Sequence, residues 1–191
     1  MYRQAARLVC WWLLEEIGQP YELTVMKGED RQTDEHRRRH PLGRVPVVED
    51  DEGFLFESAA LCLQLADLYP DAQLNWPLGT HERGLVYQWT VFAMTELEPA
   101  IIEARRHRED DPARAQVGVE RFQAAAAAVE QALDGREYLV GDRFSVADLV
   151  CGAVLIFAKS GGLGDELPNI DAYLERLEVR PARGRATAIG T

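Results

Sequence analysis

Apolar residues recur at three- and four-residue spacing through Leu8, Val9, Trp12, Leu13 and Ile17. That period predicts an amphipathic helix over residues 5–17, stopped by Gly18 and Pro20. Residues 21–25 alternate as a short strand. Two more strands are predicted at 45–48 and 54–56, joined into a hairpin through Asp50, Asp51, Glu52 and Gly53. Ser58 then opens a helix running to about residue 69, with Leu61, Leu65 and Leu68 on one face, and Pro70 closes it.

Beyond residue 70 the pattern changes. Residues 71–80, with Pro77 and Gly79, carry no clear period and read as a linker. Helical patterns follow at 81–108, 112–133, 145–158 and 170–179, then a short tail. The chain therefore divides into a mixed strand-and-helix domain over 1–70, a linker over 71–80 and an all-helical domain over 81–191. The alanine run from Ala124 to Ala128 combines high helix propensity with room for close helix contact.

Composition narrows the function classes. With 47% hydrophobic residues, the 191-residue chain can bury a sizeable core without metal or disulfide support. A formal net charge of −11 argues against a nucleic-acid partner, since a phosphate backbone is repelled by most of such a surface. Cys10, Cys62 and Cys151 stand far apart in apolar contexts, with no CxxC pair and no metal-ligand spacing, so they read as reduced core thiols and no metal is expected. The apolar stretches around Leu8 and Leu149 fall short of the ~20 residues that span a bilayer. Neither resembles a signal peptide, and a cytoplasmic setting without membrane attachment is expected.

Candidate chemistry gathers in two places. Pro46 sits at the first residue of a predicted strand, where its missing N–H harms the ladder least. A cis Val45-Pro46 peptide would turn the Val45 backbone outward as an unpaired edge, to which an extended peptide can add; an ordinary turn is the equal alternative. Eleven residues on, Glu57 and Ser58 stand where strand gives way to helix. A capping serine at a helix N-terminus suits a carboxylate, and Glu57 suits an ammonium group. The alternative is a simple cap beside a solvated glutamate. Ser145 and Asp148 form a capping box, with Phe144 and Leu149 placed as a hydrophobic staple, and need no ligand.

The stretch from Pro41 to Ser58, together with Gly141 to Leu149, resembles the cytosolic glutathione transferase family, and the similarity runs over nearly the whole chain. The resemblance implies an α/β thioredoxin-like N-terminal domain, an all-α C-terminal helical bundle and a homodimer. It implies that glutathione is the substrate or co-substrate. Val45 would pair with the cysteinyl part beside a cis Pro46, Glu57 and Ser58 would hold the γ-glutamyl group, and Arg44 would help with the glycyl carboxylate. A hydrophobic electrophile would lie near Tyr87, Trp89 and Phe92, with Met94 and Leu97 adding adaptable surface. The basic run from His36 to His40 reads as a solvated helix face, or as an attractor for an anionic peptide.

The chain departs from the family at its start. Members begin with a strand and a loop bearing the serine, tyrosine or cysteine that meets the glutathione sulfur, whereas this chain begins almost inside the first helix. A truncated or misassigned start is the expectation. In the corresponding stretch Tyr2 is the one hydroxyl, and Arg3 or Arg7 offers charge to a thiolate. Tyr2 and Arg7 are the weak catalytic candidates, set against a merely solvated chain start. The leading expectation is conjugation of glutathione to an electrophile. A binding or scaffolding protein that has lost the chemistry is the alternative, and a thiol-disulfide oxidoreductase is disfavoured because no cysteine occupies the expected site.

Overall fold

A computed structural model describes the backbone of residues 2–189 and the side chains of residues 8–189. Helix α1 (Tyr2–Ile17) opens the chain, and the short α2 (Asp34–Arg39) follows a 3-10 turn at Asp30–Gln32. Strands β1 (Val47–Asp50) and β2 (Gly53–Phe56) form an antiparallel pair with Val47 opposite Phe56 and Asp50 opposite Gly53. The turn is tied by Asp50 Oδ1, which accepts from the N–H groups of Glu52 and Gly53, both at 2.9 Å. Helix α3 (Ser58–Leu68) completes this half.

The strand expected over residues 21–25 is not formed: residues 19–27 run without regular structure, and Leu23 and Val25 are exposed. A strand is stable only when a neighbour satisfies its N–H and C=O groups, and the two-stranded sheet described offers this segment no partner. The first hairpin strand starts at Val47 rather than at residue 45.

The other half comprises α4 (His81–Phe92), a π-helical segment (Ala93–Leu97), α5 (Glu98–Arg106), α6 (Pro112–Ala132), α7 (Val146–Ser160), α8 (Pro168–Glu178) and α9 (Pro181–Ile189). The pattern read as one helix over 81–108 is thus broken by a wider turn, with Pro99 just beyond it. Pro99 has no N–H for the ladder, which weakens regular α pairing there. Helix α6 crosses α5 so closely that a Cβ on Gly118 would lie 2.3 Å from the Ala104 nitrogen. Ala125 and Ala126 of the alanine run are buried, as a close helix contact requires.

Helix α7 is apolar nearly all round and forms the centre of a core shared with Trp12 and Leu13 of α1 and Cys62 and Leu65 of α3. Its start is fixed by the capping box. Asp148 accepts from the Leu139 N–H at 2.8 Å, from the Ser145 N–H and hydroxyl at 2.9 Å each, and from the Tyr173 hydroxyl at 3.2 Å. Burial pushes the Asp148 carboxyl up to about 6, against the pull of those donors.

The expected short tail is instead helix α9, because it has a surface to dock on. Arg180 pairs both oxygens of Glu16 at 2.6 and 2.9 Å and lies 3.8 Å over the Phe144 ring; Arg185 pairs with Glu15 at 2.5 Å. The last helix thereby clamps the first. A second tie between the halves is the fork of Arg83 on Asp67, at 2.6 and 2.5 Å. No described helix is long and apolar enough to cross a membrane.

Candidate functional site

The hairpin register brings the two sequence motifs together. With Val47 opposite Phe56, Pro46 and Glu57 stand one residue beyond the paired ends of their strands, where the chain leaves the sheet. The Val45-Pro46 peptide is cis. Val45 and Pro46 are half-buried, Arg44 and Glu57 are exposed and Ser58 is buried.

Glu57, not Ser58, is the residue preceding α3, and Ser58 is its first helical residue. Glu57 carries φ of 71°, a left-handed conformation costing a non-glycine residue about 1–3 kcal/mol. Such strain persists where its surroundings over-determine it. The Glu57 carbonyl accepts the Leu61 N–H at 2.9 Å, so the N–H groups before Leu61 are the unpaired donors of the helix start. The Glu57 carboxylate has no ion-pair partner among the described residues. A free carboxylate thus stands beside a positive helix end.

Two histidines overlooked as site residues support this corner. His36 is 2% exposed and His40 is 3% exposed, so the basic run is not the uniformly solvated face read from sequence: Arg37 and Arg38 face solvent, and the histidines at either end turn inward. His36 Nε2 lies 2.8 Å from the Arg44 carbonyl. A carbonyl only accepts, so Nε2 carries the proton. His40 Nδ1 accepts the Leu42 N–H at 3.1 Å, and its ring packs 4.7 Å from Phe56. Burial lowers the His40 pKa, while the Glu57 carboxylate opposes that shift and Arg44 and His36 reinforce it. The intervening turn needs glycine: Gly43 has φ of 57°, and a Cβ there would meet the Arg31 carbonyl oxygen at 2.4 Å. The four-residue spacing of His36 and His40 was the available signal, hidden among arginines.

Ser58 borders a narrow crevice of about 10 Å³ with Val9 of α1, Met94 of the π segment, Glu98 of α5, and Val154 and Phe157 of α7. The proposed acceptor residues stand elsewhere on α4. Tyr87 is exposed beneath the Arg83 guanidinium at 4.7 Å, and Trp89 meets Phe92 edge to face at 5.5 Å. Tyr2 and Arg7 belong to α1, and their side chains lie outside the described residues. Cys10, Cys62 and Cys151 are buried free thiols. Burial and the neighbouring Cys10 raise the Cys62 thiol far from reactivity. Among the described residues no cluster of His, Cys, Asp and Glu could hold a metal ion.

Comparison with known proteins agrees with this architecture. Residues 8–73 match the family model for the glutathione S-transferase N-terminal domain, and residues 99–176 match that for the C-terminal domain. Glutathione S-transferase GstA of Escherichia coli O157:H7 is 30% identical over 174 residues, covering 88% of this chain and 86% of the relative. A glutathione transferase structure from Methylococcus capsulatus superposes with a TM-score of 0.89 at 30% identity, covering 100% of this chain and 96% of the other. A sphingomonad glutathione S-transferase complexed with glutathione gives 0.87 at 26% identity, covering 98% and 96%. The chain belongs to the glutathione S-transferase family, with a thioredoxin-like N-terminal domain and a helical C-terminal domain.

Proposed function

We propose that the protein binds glutathione where Val45 meets Glu57 and Ser58, and joins its sulfur to a hydrophobic electrophile. The observation that supports the reading is the hairpin register, in which Pro46 and Glu57 flank the paired ends Val47 and Phe56 and Ser58 begins α3. The γ-glutamyl end of glutathione bears an ammonium and a carboxylate on one carbon. Glu57 takes the ammonium, Ser58 and the first N–H groups of α3 take the carboxylate, and the cysteinyl backbone pairs with Val45. Arg44, exposed beside Val45, meets the glycyl carboxylate. The glutathione named in the sphingomonad complex supports this ligand.

Conjugation requires a thiolate. The thiol proton leaves to solvent or a base, sulfur attacks the electrophilic carbon, and the leaving group departs with the bonding pair. Tyr2 and Arg7 are the proposed stabilisers of that anion, and Tyr87, Trp89 and Phe92 form the proposed acceptor surface. A domain division at 71–80, a homodimer and a cytoplasmic setting belong to the same reading. Retention on immobilised glutathione combined with turnover of chlorodinitrobenzene tests it. Retention with turnover supports the enzyme; retention without turnover of that or other electrophiles favours the scaffolding alternative; failure to bind refutes the glutathione site and the conjugating enzyme.

A further inference from the structure

We propose that His40 is a positioning residue of the glutathione corner: its neutral ring closes the turn leading to Val45 and leaves Glu57 free for the ligand's ammonium, and its protonation undoes both. The proposal rests on the reading of Val45 and Glu57 as glutathione contacts.

Three hydrogen bonds tie the turn to α2. The Leu42 N–H donates to His40 Nδ1 at 3.1 Å, the Gly43 N–H to the His40 carbonyl at 2.8 Å, and His36 Nε2–H to the Arg44 carbonyl at 2.8 Å. Only the first ends on the His40 ring. A ring nitrogen that accepts carries no hydrogen, so the neutral ring holds its proton on Nε2. A proton added at Nδ1 turns that atom into a donor facing the Leu42 N–H, and the bond is lost. Leu42 is 63% exposed, so its side chain does little to hold the turn once the bond has gone.

The same ring adjoins the anchor proposed for the ammonium. It packs 4.7 Å from Phe56, the residue before Glu57, and is buried. Burial is the main cause that keeps it neutral; the Glu57 carboxylate at the start of α3 opposes this, and Arg44 of the loop and His36 of α2 reinforce it. Arg39, the preceding residue, is engaged elsewhere: it donates to Glu35 at 2.9 Å and lies over the Phe54 ring. An imidazolium at this place would therefore be drawn to Glu57, which has no ion-pair partner among the described residues. A ligand ammonium on Glu57 meets that same positive charge. Bound glutathione and a protonated His40 oppose each other, so affinity is complete while the ring is neutral and falls as pH drops through its lowered pKa.

Calorimetric titration of S-methylglutathione, which has no thiol to ionise, into the full chain at about pH 7.5 and about pH 5 tests the proposal. The wild type should bind about fivefold or more weakly at the lower pH. His40→Asn, whose Oδ1 can accept an N–H two residues on, should keep most of the affinity and lose most of the acid dependence. His40→Phe, which has bulk without the acceptor, should bind weakly at both. In the unliganded wild type the Leu42 amide NMR shift should titrate together with the His40 ring. Equal acid dependence in wild type and His40→Asn, or a Leu42 amide insensitive to that titration, would overturn the proposal, even with S-methylglutathione binding intact at the higher pH. A wild type that does not bind at the higher pH would instead refute the glutathione site, and the proposal with it.

Discussion

His36 Nε2–H donates to the Arg44 carbonyl at 2.8 Å, from a ring only 2% exposed. That bond fixes the chain immediately before Val45. His36→Phe should orphan the carbonyl and loosen the loop, at about 1–2 kcal/mol of stability and a several-fold loss of glutathione affinity. His36→Gln, whose amide can donate, should recover part of both. Denaturant unfolding and calorimetric titration measure the pair; wild-type affinity in His36→Phe would remove His36 from any positioning role.

His40 supplies a pH dependence with a definite sign. Burial first of all holds its native pKa below the ordinary 6.5, and the Leu42 N–H occupies its Nδ1 lone pair. The unfolded chain therefore takes up the proton first as pH falls. The stabilisation is complete above the ordinary value and is lost as pH drops through the native one. Between about pH 7 and about pH 5 the urea midpoint should fall more steeply for the wild type than for His40→Gln. Parallel slopes would count against a buried neutral imidazole.

Gly43→Ala should cost about 2 kcal/mol or more, because its backbone is left-handed and the new methyl would collide with the Arg31 carbonyl. Thermal unfolding checks the cost, and glutathione affinity should fall with it. A neutral substitution would mean that the loop before Val45 relaxes freely.

Asp148→Ala removes the acceptor for four donated hydrogen bonds in the core. A loss of about 3 kcal/mol or more is expected from unsatisfied buried donors and the missing cap. Equilibrium urea unfolding measures it, and a loss below about 1 kcal/mol would show that the donors find other partners.

Much of the helical half was legible because its signals are local: the Ser145 capping box, the apolar run of α7 and the helix-forming alanines of α6. The strand expected at Tyr21 and the tail after residue 179 were misread for one reason. Each depends on a partner distant in sequence: a strand needs a neighbour, and α9 needs Glu15 and Glu16 of α1. At the site, the residue types at Val45, Glu57 and Ser58 were readable, while the left-handed Glu57 and the inward turn of His36 and His40 arise from tertiary contacts.

The central claim is that Ser58 and the start of α3 hold the γ-glutamyl carboxylate. Calorimetric titration of glutathione into wild type and Ser58→Ala tests it most directly. Loss of a charge-assisted hydrogen bond should weaken binding by roughly 1–2 kcal/mol, about tenfold in the dissociation constant. An unchanged dissociation constant in a folded Ser58→Ala protein would contradict the account.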